Sequence, residues 1–305
     1  MLKKIKTPLL EIAYEEKGEE NGKPVILMHG FPDDAKAWNQ TTDELAGKGF
    51  RTFALYTRGY GETRFLDQDT MRSGEGVAYA EDIIEFADAL GLDKFIFVGH
   101  DWGAIAAYLL GILYPSRLDA LVPVSVSYES ALPDYSDYQT SIPQTIAYWY
   151  RWLFLSDKGP ETLAVQRDDL CREMWRMWSP NWNFTEEEFQ AAAQSWDNPD
   201  FQTIIIHSYR FAYKKAAGDA RYKDFLPKLL GKQPINVPTI VLHGTSDTVS
   251  LIDSSAGQEK YFTGFYEFRA FEKIGHFLPR EQPAAITKAV LNLSQSAQHT
   301  KSGSA

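Results

Sequence analysis

The chain has 305 residues, of which 44% are hydrophobic and 14% aromatic, enough for one large domain or two ordinary ones with a well-buried core. Its formal net charge of −10 argues against a nucleic-acid partner, and no apolar run approaches the roughly 18 residues that a membrane span needs. The single cysteine, Cys171, excludes an intramolecular disulfide, and the six histidines lack the spacing of metal ligands. We therefore expect a cytoplasmic protein, either a monomer or a homodimer.

Strand patterns alternate with helical patterns over residues 1–127, which argues for a parallel sheet. The spacing of apolar residues predicts a helix over Ala78–Leu90. The first strand of this part alternates apolar and polar residues, as an edge strand does. The predicted strands are Leu9–Glu15, Pro24–Met28, Arg51–Tyr56, Lys94–Val98 and Asp119–Val126.

The pattern changes over residues 128–233, where aromatic-rich helical runs are interrupted by prolines. We interpret this segment as a helical lid over the carboxyl edge of the sheet. The core resumes over residues 234–293, with strands at Pro238–His243 and Tyr266–Phe271 and a final helix over Pro283–Leu293. Residues 294–305 are small and polar, which predicts a disordered tail.

The segment Gly99–Gly103 reads Gly-His-Asp-Trp-Gly between a predicted strand and a predicted helix. This context is that of G-x-S-x-G, the sharp turn that exposes a nucleophile, with Asp101 in place of serine. A carboxylate nucleophile displaces at saturated carbon and leaves an alkyl ester that water must hydrolyse. The substitution therefore predicts a hydrolase that opens an epoxide or removes a halide, and it argues against a serine esterase.

Two further residues follow strand ends, as partners of such a nucleophile would. The chain order is Asp101, Asp247 and His276, in which His276 would activate water and Asp247 would orient its imidazole. The turn after the first central strand, His29-Gly-Phe-Pro, places the backbone N–H of Phe31 where it and that of Trp102 would form an oxyanion hole.

Together with Arg58-Gly-Tyr-Gly, these motifs resemble those of the α/β-hydrolase-fold epoxide hydrolases, over nearly the whole chain. The resemblance implies that fold, no cofactor, and two lid tyrosines that donate hydrogen bonds to the epoxide oxygen. The segment His207-Ser-Tyr-Arg is similar to the family's late lid motif and implies Tyr209 as one donor. We expect the other donor to be Tyr150, which its spacing to Phe154 favours, with its neighbour Tyr148 as the alternative.

The aromatic lid favours a small apolar epoxide, which we expect to contact Trp102, Tyr148 and Trp152. A haloalkane dehalogenase, which shares the aspartate mechanism, is the alternative. A third hypothesis, from a different functional class, is a catalytically silent α/β-hydrolase that binds a ligand. Such proteins usually lose the nucleophile, the acid or the histidine, and this chain has all three.

Overall fold

The computed structural model describes residues 2–132 and 141–302, with side chains through residue 295. Its strands are β1 (Leu2–Lys6), β2 (Leu10–Lys17), β3 (Lys23–Met28), β4 (Phe50–Leu55), β5 (Arg64–Phe65), β6 (Phe95–His100), β7 (Leu118–Val124), β8 (Thr239–Gly244) and β9 (Tyr266–Phe271). Its helices are α1 (Asn39–Ala46), α2 (Gly76–Ala89), α3 (Trp102–Leu113), α4 (Ile142–Ala147), α5 (Trp149–Leu155), α6 (Lys158–Trp178), α7 (Glu186–Ala193), α8 (Phe201–Ala212), α9 (Leu226–Leu229), α10 (Leu278–Glu281) and α11 (Pro283–Ser302).

One sheet organises the core, in the order β1-β2-β4-β3-β6-β7-β8-β9, with the short β5 paired to β2. The pairs from β4 to β9 are parallel, and β2 is antiparallel to β1, β4 and β5. The central strands β6 and β8 are buried along their whole length, as their continuous apolar runs require in a sheet covered on both faces. Helix α1 packs on α11, and α2 packs on α3. The fold is the predicted α/β architecture with a mostly parallel sheet.

The carboxyl ends of the parallel strands meet at one edge of the sheet and bring the sequence motifs together. Strand β3 leads into the Phe31 turn and β6 leads into Asp101, while Asp247 and His276 follow β8 and β9. Every element that the structure describes between residues 128 and 233 is helical. Within the described ranges, no helix is both long enough and apolar enough to cross a membrane.

Two predictions of the sequence were wrong at the ends of the chain. The strand predicted at Leu9–Glu15 is β2, which is not at the edge, because β1 pairs with it and forms the edge itself. Its lysine-rich sequence, Leu-Lys-Lys-Ile-Lys, lacks a buried face but suits an exposed edge, where charges oppose pairing with another chain. The final helix is longer than predicted, because it continues past Leu293 to Ser302 and neither glycine nor proline interrupts residues 294–302. The last part of the predicted tail, residues 303–305, lies outside the described residues.

Candidate active site

The turn between β6 and α3 presents Asp101 in a strained backbone conformation. Its φ and ψ angles are 53° and −109°, in a region that residues other than glycine rarely adopt. The flanking glycines allow the turn to be this tight. A Cβ atom at Gly99 would lie 1.9 Å from the carbonyl oxygen of Gly103, and one at Gly103 would lie 2.2 Å from that of Met28. The sequence thus places a carboxylate at the N-terminus of α3, where the helix dipole favours negative charge.

The two oxygens of the Asp101 carboxylate have different surroundings. Oδ1 accepts a hydrogen bond from the backbone N–H of Phe31 at 2.9 Å, while Oδ2 lies 3.7 Å from Nε2 of His276. The Phe31 turn therefore holds Oδ1, and Oδ2 is the oxygen on the histidine side. The backbone N of Trp102 lies at the start of α3 beside the same carboxylate, because a Cβ at Gly30 would be within 2.2 Å of Oδ1 and 2.6 Å of that nitrogen.

His276 and Asp247 form a buried pair behind Asp101. Nδ1–H of His276 donates to Oδ2 of Asp247 at 2.7 Å, and both side chains are nearly inaccessible to solvent. Oδ1 of Asp247 accepts from the backbone N–H groups of Val249 and Ser250, at 2.9 and 2.8 Å. These bonds fix the carboxylate, which in turn fixes the imidazole with Nε2 toward Asp101.

The charges around the site shift the pKa values of His276 and Asp247. Burial works against the charged form of His276, but the negative charges of Asp247 and Asp101 outweigh it and raise the pKa of His276 to about 10. Burial alone would raise the pKa of Asp247, but the charge of His276 and the polar contacts with His243 and His276 hold that pKa well below its usual range. The imidazolium is therefore the resting form of His276, and it is paired with the ionised carboxylate of Asp247.

A cavity of about 520 Å³ lies between the core and the lid, and Asp101 and Trp102 are part of its wall. Tyr150 of α5 and Tyr209 of α8 line the same cavity, with ring centroids 5.5 Å apart and rings perpendicular. Burial, followed by the neighbouring Tyr150 and the charge of Asp101, raises the pKa of Tyr209 well above its ordinary value. Tyr209 therefore keeps its phenolic proton. At Tyr150, the phenolic oxygen Oη accepts a hydrogen bond from the Nε–H of Arg151 at 3.2 Å.

The structure does not bring two of the predicted substrate contacts to the cavity. Trp152 is 51% exposed, and its indole packs against Tyr213 on the lid surface. Tyr148 is buried outside the cavity lining, with the guanidinium of Arg151 3.4 Å from its ring centroid. Of the tyrosine pair left open by the sequence, Tyr150 is the one at the cavity.

Sequence reasoning missed the apolar wall of the cavity. Ile105 and Leu109 of α3 line it, together with Leu226 and Leu229 of α9. The spacing of Ile105 and Leu109 is i, i+4, which puts both on one face of the helix that starts at the nucleophile, so this pair could have been found from the sequence. The α9 contribution depends on how the lid packs.

The described residues contain no group of three or more histidine, cysteine or acidic side chains arranged to hold a metal ion.

The chain matches the alpha/beta hydrolase fold family over residues 23–283. It is 25% identical over 295 residues to human Epoxide hydrolase 4, covering 94% of this chain and 76% of the relative. It is also 25% identical over 308 residues to Epoxide hydrolase A of Mycobacterium tuberculosis, with 90% and 91% covered. A solved structure from Klebsiella pneumoniae, described as a candidate epoxide hydrolase, is 34% identical, has a TM-score of 0.91, and shares 96% of this chain and 97% of its own.

Proposed function

The chain belongs to the α/β-hydrolase fold family, and we propose that it is an epoxide hydrolase that converts an apolar epoxide to a vicinal diol. The observation that carries this proposal is the pairing of Asp101 with Tyr150 and Tyr209 on the wall of one cavity. A carboxylate supplies the nucleophile for a saturated carbon, and phenols supply the protons that an opening epoxide needs.

In the first half-reaction, Oδ2 of Asp101 attacks an epoxide carbon and the bond from that carbon to the ring oxygen breaks. Oδ2 is the attacking atom because Oδ1 is already held by the N–H of Phe31. The ring oxygen leaves as an alkoxide whose negative charge Tyr150 and Tyr209 stabilise by donating their O–H groups. One phenol transfers its proton to the alkoxide, and the product is a hydroxyalkyl ester of Asp101.

Ester formation changes His276 from an acid into a base. The ester oxygen carries no charge, so the contribution of Asp101 to the raised pKa of His276 disappears. The imidazolium then releases a proton, which replaces the one that the phenol gave to the alkoxide. The neutral Nε2 is left facing the ester, where it can accept a proton from water.

In the second half-reaction, water gives a proton to His276 and its oxygen attacks the carbonyl carbon of the ester. The negative charge develops on Oδ1, which already accepts from the N–H of Phe31, and we expect the N–H groups of Phe31 and Trp102 to stabilise it. Collapse of the tetrahedral intermediate breaks the ester bond, and the departing oxygen takes the proton of the new carboxyl group. The diol is released with Asp101 ionised and His276 protonated, as at the start.

The cavity wall supports an apolar substrate. The side chains of Ile105, Leu109, Leu226 and Leu229 would surround the alkyl or aryl group attached to the epoxide.

A cytoplasmic location and a monomeric or homodimeric state remain predictions from the sequence.

A haloalkane dehalogenase is the second candidate, because one indole, that of Trp102, lines the cavity and another, that of Trp178, lies beside the cavity residue Tyr150. Trp102 lines the cavity, and the Nε1–H of Trp178, whose ring is 4.9 Å from that of Tyr150, has no hydrogen-bond partner in the part of the chain described. Such N–H groups would suit a departing halide. This activity leaves the two cavity tyrosines without a role, so we rank it second.

The products from two substrates test the proposal. We expect the purified protein to convert styrene oxide to its diol and to release no halide from a 1-haloalkane, with both products quantified in parallel. Halide release without diol formation would contradict the proposal and favour the dehalogenase. If neither product forms while a ligand raises the melting temperature, the silent binder is favoured instead.

The covalent mechanism is tested with a His276→Gln variant. We expect it to form the ester and to hydrolyse it very slowly, because glutamine cannot accept a proton from water. Intact-mass spectrometry after mixing with styrene oxide should therefore show one added epoxide mass. An Asp101→Ala variant is the control and should show neither adduct nor turnover. Full activity of that variant would overturn the mechanism.

A further inference from the structure

The lid segment formed by the last residues of α6 and the residues just after it contacts both loops that carry the acid and the histidine. We call residues 177–181 the clamp. The segment lies in the lid part of the sequence, but it forms hydrogen bonds with the loops that follow β8 and β9 in the core. The clamp therefore connects the lid to the loop of Asp247 and to the loop of His276.

On the histidine side, three consecutive backbone N–H groups are bound by the clamp and its neighbour Glu281. The N–H of His276 donates to the carbonyl oxygen of Trp178 at 3.0 Å, and that of Phe277 donates to Oγ of Ser179 at 3.0 Å. The N–H of Gly275 donates to Oε1 of Glu281 at 3.0 Å, and the Ser179 hydroxyl donates to the same oxygen at 2.7 Å. A single buried hydroxyl thus links the backbone on both sides of His276.

The core holds the other face of the same peptide. The carbonyl oxygen of His276 accepts from Nε2–H of His100 at 2.8 Å and from the hydroxyl of Ser125 at 2.9 Å. The backbone of His276 is therefore held by the lid through its N–H and by the core through its C=O. Its position relative to Asp101 depends on both.

On the acid side, the clamp binds the loop around Asp247. The hydroxyl of Thr248 donates to the carbonyl oxygen of Met177. The side-chain amide of Asn181 donates to Oγ of Ser246 and to the carbonyl oxygen of Lys273, both at 3.0 Å. Asn181 thus connects the acid loop to the loop that leads into His276.

We propose that the clamp positions His276 for ester hydrolysis, with Ser179 as its central positioning residue. This inference rests on the proposed function. In ester formation, Asp101 attacks and the tyrosines hold the oxygen, while His276 serves only as a charged neighbour. In ester hydrolysis, Nε2 must reach a water molecule that also reaches the ester carbonyl carbon, so this step is the one that is sensitive to a small displacement of the imidazole.

The experiment compares the two half-reactions in a Ser179→Ala variant, with styrene oxide as the probe. We expect ester formation to stay within about twofold of wild type and ester hydrolysis to slow by about tenfold to a hundredfold, so the ester accumulates at steady state. Rapid quenching and intact-mass spectrometry measure both rates. Equal slowing of both steps, or of neither, would overturn the proposal.

The matched control is Ser195→Ala. Ser195 is also a buried lid serine, and its hydroxyl donates to the carbonyl oxygen of Ala192 within the lid at 2.8 Å. Removing it costs a similar buried hydrogen bond without touching the loop of His276. A purely structural role for Ser179 predicts the same kinetics for both variants. If Ser179→Ala does not fold, Glu281→Gln, which weakens the acceptor shared by Ser179 and Gly275, is expected to accumulate ester in the same way.

Amide hydrogen exchange separates a failure of this inference from a failure of the proposed function. Exchange of the amides at 275–277 should be faster in Ser179→Ala than in wild type or Ser195→Ala, whatever the substrate is. Unchanged protection there would overturn the clamp alone. Absence of any ester in His276→Gln, with the exchange result as expected, would overturn the proposed function and leave the clamp as a structural link.

Discussion

At the scale of single residues, His276 is set apart by lying between two carboxylates. Its Nδ1 is 2.7 Å from Asp247 and its Nε2 is 3.7 Å from Asp101. The first carboxylate keeps its charge throughout the proposed cycle, whereas the second loses it on ester formation. The raised pKa therefore has a constant part and a part that follows the chemistry, so one residue can rest as a cation and still act as a base.

An Asp101→Asn variant isolates the second part. We expect the pKa of His276, about 10 in the wild type, to fall toward its ordinary value, because the neutral amide keeps the shape of the side chain but not its charge. Titration of the imidazole by heteronuclear NMR measures this shift. An unchanged pKa would mean that Asp247 alone sets it and that esterification does not switch the base.

The same shift gives a pH dependence of stability. A histidine whose pKa is higher folded than unfolded stabilises the fold fully below about pH 6.5, and this stabilisation is lost as the pH rises toward about 10. The free energy of unfolding of the wild type should therefore fall across this window. In Asp101→Asn the fall should be smaller, and denaturant titrations at several pH values would show it.

At the scale of elements, the turn after β3 is shaped to meet the turn after β6. Gly30 stands where any side chain would meet the nucleophile, since a Cβ would lie 2.2 Å from Oδ1 of Asp101. The close approach brings the N–H of Phe31 to the carboxylate. Gly30 is therefore needed because it has no side chain that would displace Asp101.

A Gly30→Ala variant should therefore lose activity by about a hundredfold or more, because Asp101 or the Phe31 turn must move. The measurement is turnover of styrene oxide, together with the melting temperature. Gly47→Ala is a suitable control, because a Cβ there meets its nearest neighbour at 3.6 Å, in ordinary contact. Wild-type activity in Gly30→Ala would show that the turn does not need this close approach.

The lid helices decide which tyrosine faces the substrate. Tyr148 lies at the break between α4 and α5, whereas Tyr150 is inside α5, and α5 packs on α8. This packing places Tyr150 next to Tyr209, and the ring of Phe154, one turn further along α5, is 5.1 Å from that of Tyr209. The tyrosine pair is thus a product of helix packing within the lid.

At the scale of the whole molecule, the lid is tied to the core at more than one place. The clamp joins it to the loops of Asp247 and His276. On the other side, the buried guanidinium of Arg58 pairs with Asp82 through two hydrogen bonds of 2.7 and 2.6 Å and donates to the hydroxyl of Tyr222 in the lid at 3.4 Å. Arg58 lies outside the cavity lining, so its role is structural, and the cavity lies between two anchored parts.

The sequence by itself determined the fold, the family resemblance and the positions of Asp101, Asp247 and His276 along the chain. These follow from local patterns, because a residue just after a parallel strand must emerge at the carboxyl edge of the sheet. Local patterns did not predict β1, because its lysine-rich sequence does not resemble that of a typical strand. They also placed the end of α11 too early, because polar residues continue the helix.

Only the tertiary structure decided which of Tyr148 and Tyr150 lines the cavity, that Trp152 lies outside it, and how the clamp holds His276. Each of these depends on contacts between segments far apart in the chain, such as Ser179 with Phe277. The raised pKa of His276 has the same origin, since its two carboxylates come from the ends of different strands. Packing distances set these properties, and no spacing along a single chain encodes them.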